Sequence, residues 1–195
     1  MKRILFAVVA VLLAGCASER QAPPPPPVST PTPPPPVVRA PLPPIHPAGP
    51  LSKAAVEVYM DGQEADLRSY MRGQGVLVAR RGNDIALTVP SDKLFNKTVI
   101  TTWGDAFSRA LVQVIGHYDH STIEILCYTD ATGSDADNLA LSQTRAKTFA
   151  DGLVAYGIAA ARLTPKGLGA VNPRSTTPND TKNRRIEIKI TPRPS

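Results

Sequence analysis

From residue 51 onward the spacing of apolar residues changes period several times, and each change marks an element. Val56, Met60, Gln63, Leu67 and Tyr70 or Met71 recur every three or four positions. That spacing predicts an amphipathic helix over residues 52–72, ended by Gly73 and Gly75 and packed on its own domain. Residues 76–80 and 85–89 then read as two strands around the turn Arg81-Gly82-Asn83-Asp84. Helical spacing returns over residues 103–115 through Phe107, Leu111, Val114 and Ile115. A strand at 122–128 and a helix at 135–156 follow, with Gly157 placed as its C-cap. Residues 162–167 and 185–190 complete the pattern as two further strands. Strands alternating with helices predict an α+β fold, with the helices packed on one face of a mixed sheet.

Before residue 51 the pattern is different. Lys2 and Arg3 precede an apolar run over residues 4–13, well short of the roughly 20 residues a spanning helix needs. Residues 1–15 therefore read as an export signal. The run ends in Leu13-Ala14-Gly15-Cys16, which resembles the lipobox of bacterial lipoproteins. The resemblance implies cleavage before Cys16 and acylation of its thiol and new amino terminus, palmitate included. Several acyl chains would hold the chain to a membrane, since one alone binds only marginally. An ordinary secretory signal is the alternative. Ala17, rather than an aspartate, points to the outer membrane by the usual lipoprotein sorting pattern, with the folded part facing the periplasm. Residues 16–50, rich in proline, cannot bury a core and predict extended polyproline II. Such a linker reaches roughly 100 Å, enough to hold a domain away from the membrane. A ligand for a proline-binding module is the other use of such a segment.

With Cys16 acylated, Cys127 has no partner, and its setting in a strand makes it a core residue or else a reactive thiol. Removal of Lys2 and Arg3 takes the formal charge from +6 to +4. Much of the excess gathers near the C-terminus, at Arg162, Lys166, Arg174, Lys182, Arg184, Arg185, Lys189 and Arg193. For an exported chain this argues against nucleic acid and toward anionic envelope polymers or carboxylate-bearing peptides, with a solvated basic surface as the plain alternative.

The stretch Thr129-Asp130-Ala131-Thr132-Gly133-Ser134-Asp135-Ala136-Asp137-Asn138 leads into Leu141-Ser142-Gln143-Thr144-Arg145-Ala146. Asp130 falls where a strand runs out, and Ser134 or Asp135 can cap the next helix. On that helix Asn138, Leu141, Ser142 and Arg145 share one face. Turned toward the strand end, this face would set a carboxylate opposite a guanidinium, an arrangement suited to a zwitterion. A plain Asp130–Arg145 salt bridge fits the same spacing.

Thr129, Asp130 and Gly133, followed by Asn138, Leu141, Ser142, Arg145 and Ala146, resemble the signature of the OmpA-like (OmpA C-terminal, Pal-type) peptidoglycan-binding domain. Gly157, the run from Arg162 through Gly167-Leu168-Gly169 to Asn172-Pro173, and Asn183-Arg184-Arg185-Ile186-Glu187-Ile188 resemble its later motifs. The likeness divides the mature chain into a helix and first strand at 51–81 and the OmpA-like domain at 82–195. It implies a β-α-β-α-β two-layer sandwich that binds the stem peptide of peptidoglycan without covalent chemistry or a cofactor. The implied ligand is diaminopimelate, with Asp130 on its amine and Arg145 on its carboxylate. Asn138 would hydrogen-bond the ligand, Thr132 and Leu141 would shape the pocket, and one arginine of Arg184-Arg185, Arg185 by preference, would add positive charge. Asn96 stands where the family often has an acid reaching the same pocket. Residues 174–182 are shorter than the family's usual loop.

Little points to catalysis. His117 and His120 fall in a helix-to-strand turn without a third histidine beside them, so no metal site is expected. Ser142 has no histidine in its motif and Cys127 lies within a strand, so no nucleophile–base pair is expected. The expected role is an outer-membrane tether to the cell wall. The alternative is a structural part of an envelope-spanning, secretion-type complex that uses the domain for anchoring or partner contacts.

Overall fold

The structure is a computed structural model that describes residues 51–193. The expected signal segment, Cys16 and the proline-rich linker lie outside the described residues.

Helix α1 (Lys53–Tyr70) starts at Ser52, whose hydroxyl accepts from the Ala55 amide at 3.3 Å, and is followed by Gly73 and Gly75 at positive φ. Strands β1 (Leu77–Arg81) and β2 (Asp84–Pro90) form a hairpin. Its turn is only Gly82-Asn83, because Arg81 and Asp84 are themselves paired, and Gly82 supplies the positive φ that a tight hairpin turn needs. Short elements follow that the apolar spacing did not reveal: α2 (Ser91–Leu94) and a miniature hairpin of β3 (Phe95–Asn96) and β4 (Val99–Ile100). Helix α3 (Thr102–His117), strand β5 (Ser121–Tyr128), helix α4 (Asp135–Ala155), a 3-10 turn at Ala160–Arg162, and strands β6 (Leu163–Gly169) and β7 (Arg185–Pro192) complete the fold.

Five strands form one mixed sheet in the order β1-β2-β7-β5-β6. Only β5 and β6 are parallel, joined by α4 as a βαβ crossover. Burial alternates along β2, β5 and β7, so Ile85, Leu87, Ile123, Ile125, Ile186, Ile188 and Ile190 all point to the helical side. There they meet Leu111 and Ile115 of α3 and Leu153 of α4, along with Phe107 and Phe149, whose rings stack 6.1 Å apart. The other face is helix-free and polar. The β1–β2 hairpin spans the division expected at residues 81 and 82, and Met60 and Leu67 of α1 are buried in the same core. Residues 51–81 are thus integral to the folded body.

Polar contacts of Arg162, Tyr59 and Tyr118 lock the helices in place. Arg162, expected on a basic surface, is 6% exposed and donates to the carbonyls of Ile115, Tyr118 and Ser121. It thereby satisfies groups at the C-terminal end of α3 that a helix leaves unbonded. The Tyr59 hydroxyl of α1 accepts from the His120 amide at 2.8 Å, and Tyr118 donates to Asp66 at 2.9 Å. Burial pushes the Tyr59 hydroxyl up to about 12.

A close backbone approach joins α4 to β6. A Cβ on Gly167 would fall within the backbone of Ser142 and Gln143, and the Ser142 hydroxyl accepts from the Gly169 amide at 2.9 Å. Gly167→Ala should therefore destabilise the protein by about 3 kcal/mol. Gly116→Ala, within α3 and with only Ile158 Cδ1 at 3.8 Å, should be neutral or up to about 1 kcal/mol stabilising. Urea unfolding midpoints of the two variants check the contrast.

Candidate functional site

The site is built where β5 ends. Thr129 donates its amide to Gly169 at 2.9 Å and Ala131 donates to Pro178 at 2.9 Å, so the β5–α4 loop is fastened to β6 and to the loop before β7. Ser134, not Asp135, caps α4, accepting from the Asp137 amide at 3.1 Å. Asp130 is 8% exposed, and both its oxygens accept hydrogen bonds. Its Oδ1 accepts from the Thr132 hydroxyl at 2.5 Å and the Thr132 amide at 3.2 Å, and its Oδ2 accepts from Arg184 Nη1 at 2.8 Å. Burial alone would raise the Asp130 carboxyl, but the bonds from Thr132 and Arg184 outweigh it and hold the group below the usual carboxylate value.

Arg184 bridges two acids. Besides Asp130 it donates through Nε and Nη2 to Asp92, at 2.8 and 2.7 Å, and those bonds raise its pKa further. Asp92 lies in α2, which runs directly into the β3–β4 hairpin. That hairpin holds Arg145, which donates Nε to the Lys97 carbonyl at 2.6 Å and lies over the Phe95 ring. Lys97 adopts φ 56°, a left-handed conformation costly for a side-chain-bearing residue, and the turn it makes offers its carbonyl to the guanidinium. Arg145 is 8% exposed and has no carboxylate partner among the described residues. Asn138, seven residues earlier on α4 and about 10 Å along the helix axis, donates to the Thr132 carbonyl at 3.2 Å. Contacts link Asn138, Thr132, Asp130, Arg184 and Asp92, and separately the β3–β4 hairpin and Arg145; the backbones of α2 and α4 join the two sets into a ring.

This arrangement removes the plain salt bridge between Asp130 and Arg145, because Asp130 pairs with Arg184 instead. Asn138 and Thr132 brace the loop, Leu141 is half-buried on α4, and Asn96 is exposed beside Lys97. Arg185, the arginine expected to add charge here, lies elsewhere. It is 4% exposed, stacks 3.8 Å over the Tyr128 ring, and donates to Glu187 at 2.7 Å and to the Asn172 carbonyl at 3.1 Å. Neighbouring residues entering a strand face opposite sides, and that alternation gives Arg184, not Arg185, to Asp130. Asp92 and Arg184 are the members that the sequence reading did not place. The only local signal for the arginine was the pair Arg184-Arg185 itself, in which either could turn inward.

The loop at residues 174–182 is held by one side chain. Asn183, 2% exposed, accepts from the Arg174 and Ser175 amides at 2.8 and 3.0 Å and donates to the Ser175 and Thr177 carbonyls, both at 3.1 Å. Burial pushes the Cys127 thiol up to about 12. Ser142 is committed to Leu139 and Gly169. His117 ends α3, His120 precedes β5, and the described residues contain no group of three side chains that could hold a metal.

The site thus sits on an α+β sandwich, with an acid at the end of β5, the parallel partner of β6, and an arginine about three turns into the next helix. Residues 94–187 match the OmpA family, and this segment is an OmpA-like domain. It is 38% identical over 142 residues to the probable lipoprotein YiaD of Escherichia coli (strain K12), covering 70% of this chain and 65% of YiaD. It is 36% identical over 133 residues to the peptidoglycan-binding protein ArfA of Mycobacterium tuberculosis, covering 66% of this chain and 37% of ArfA. The chain thus spans less than two thirds of either relative. Among solved structures, a MotB-like protein from Desulfovibrio vulgaris shares the fold, with a TM-score of 0.63 and 23% identity over 72% of this chain and 96% of that one.

Arg184→Met should cost about 1–3 kcal/mol at pH 7, less than a fully buried pair because the guanidinium is partly exposed. The folded-state pKa of Asp130 is depressed, so its contribution is present above the ordinary carboxylate value near 4 and is lost as pH falls through the folded value. The stability gap between wild type and variant should therefore be full at pH 7 and close below about pH 4. Urea unfolding at both pH values measures it.

Proposed function

We propose that this chain binds peptidoglycan non-covalently through the diaminopimelate of the stem peptide, and that as an outer-membrane lipoprotein acylated at Cys16 it ties that membrane to the wall. The observation that carries the reading is Arg145: a nearly buried guanidinium, held by its Nε and a ring face, with its Nη donors free of any carboxylate among the described residues. A buried charge is ordinarily paired, and a ligand carboxylate supplies the bidentate partner that this geometry leaves open. Asp130 takes the ligand's ammonium on carboxylate positions left by Thr132 and Arg184. Arg184 keeps the acid ionised, a task distinct from contacting the ligand carboxylate. The relatives, a probable lipoprotein and a peptidoglycan-binding protein, support the same reading. Binding of this kind makes and breaks no covalent bond, so the reading is of a tether and not an enzyme.

A second reading has one observation in its favour. The outer side of α1 carries Val58 at 74% exposure beside an apolar hollow lined by Leu51, Ala54, Ala55 and Tyr59. Such a surface suits a partner protein in a larger envelope complex, and wall binding is compatible with it.

Calorimetric titration with a diaminopimelate-containing tripeptide tests the main reading. Wild type should bind saturably. Arg145→Ala should lose about 2–5 kcal/mol of binding while keeping its circular dichroism. A lysine-containing tripeptide, lacking the side-chain carboxylate, should bind wild type more weakly, and Arg145→Ala should no longer distinguish the two. A folded wild type that binds neither peptide would overturn the reading.

A further inference from the structure

The helix-free face of the sheet carries a second hollow that the ring around Asp130 does not use. Strand alternation puts Thr88 and Pro90 of β2, and Arg185 and Glu187 of β7, on this face, with Thr88 opposite Glu187 and Pro90 opposite Arg185. The segment between β6 and β7 folds over them. Thr88 and Pro90 form the floor, and Arg174, Thr181, Lys182 and Arg184 the walls, of a cavity of about 370 Å³. Lys93 approaches its rim at Gly75, where its Nζ donates to the Gln74 carbonyl at 2.9 Å.

The charge of these walls is not balanced. Arg174 and Arg185 share a single carboxylate, Glu187, and both donate to the same oxygen, at 2.8 and 2.7 Å. Lys182 forms no ion pair among the described residues, and only its backbone amide engages Asp180. Arg184 lines the cavity while its Nη1 touches Asp130, so one side chain separates the cavity from the ring. Leu77, also on the lining, is 58% exposed and adds an apolar patch beside the cations. Cationic walls over a partly apolar floor suit the carboxylate of a peptide better than a small inorganic ion.

We propose that this cavity is an anion subsite that takes a second carboxylate of the peptide whose diaminopimelate sits at Asp130 and Arg145. Lys182 and Arg174 are the pairing groups, and Arg184 is the wall common to both sites. The proposal rests on the peptidoglycan reading above. It also gives the compact 174–182 loop a role, because Asn183 folds that loop so that Arg174 stands over the sheet.

Amide-proton NMR of the full chain separates the two claims. The probes are the diaminopimelate tripeptide with all its carboxylates free, and the same peptide with every carboxylate outside diaminopimelate converted to amide. The acid peptide should shift Thr129, Asp130, Thr132 and Arg145 and also Leu77, Thr88 and Thr181, whereas the amide peptide should shift only the first group. Lys182→Gln should weaken the acid peptide about three- to fivefold and bring its affinity to that of the amide peptide. Shifts in the first group alone, or equal affinities of both peptides for wild type, would overturn the subsite and leave the diaminopimelate reading standing. Shifts in the second group alone would overturn the diaminopimelate reading while supporting a carboxylate site in the cavity. Shifts in neither would overturn both.

Discussion

A carboxylate placed at the end of a buried interior strand must be compensated, and the pairing of Asp130 with Arg184 is the contact on which the site's architecture turns. Desolvation alone would drive the Asp130 carboxyl toward its neutral form; Thr132 and Arg184 reverse that. Because Arg184 also grips Asp92, the start of β7 and the segment leading into the β3–β4 hairpin are held to the end of β5 by one guanidinium. The hairpin in turn fixes Arg145. The acid's need for a partner thus orders elements far apart in the chain into one surface.

The two arginines of the site have different electrostatic duties. Arg184 is spent on two carboxylates and serves to keep Asp130 ionised. Arg145 is oriented by a carbonyl and a ring face, neither of which neutralises it. Among the described residues, the two side-chain-bearing residues at positive φ, Lys97 and Asn172, present carbonyls to arginines, Lys97 to Arg145 and Asn172 to Arg185. Local backbone strain is here coupled to the orientation of planar cations, which fits the preference of guanidinium for fixed, directional acceptors.

The sheet divides these tasks by face. Its inner side is a continuous apolar layer under the helices, while its outer side carries the Arg174–Glu187–Arg185 cluster and the stacked Tyr128. Arg185 packs on the outer face over Tyr128, while Arg184, one residue before the strand, reaches Asp130 at the end of β5.

Periodicity by itself determined the long elements: α1, the first hairpin, α3, β5, α4 and the last two strands fall within a few residues of where apolar spacing puts them, because burial of a repeating stripe is a local property of the sequence. The motif around Asp130 and Arg145 was legible for the same reason, since strand end, cap and helix face lie within one short stretch. Three things were decided only by tertiary structure. The α2 and β3–β4 segment is too short to carry a period, and it is held by contacts to α3 and Arg145. Arg162 left the surface because the C-terminal carbonyls of α3 needed donors. The choice of Arg184 over Arg185 depended on the register of β7 between β2 and β5, and pairing across a sheet is a long-range property that the order of residues does not display.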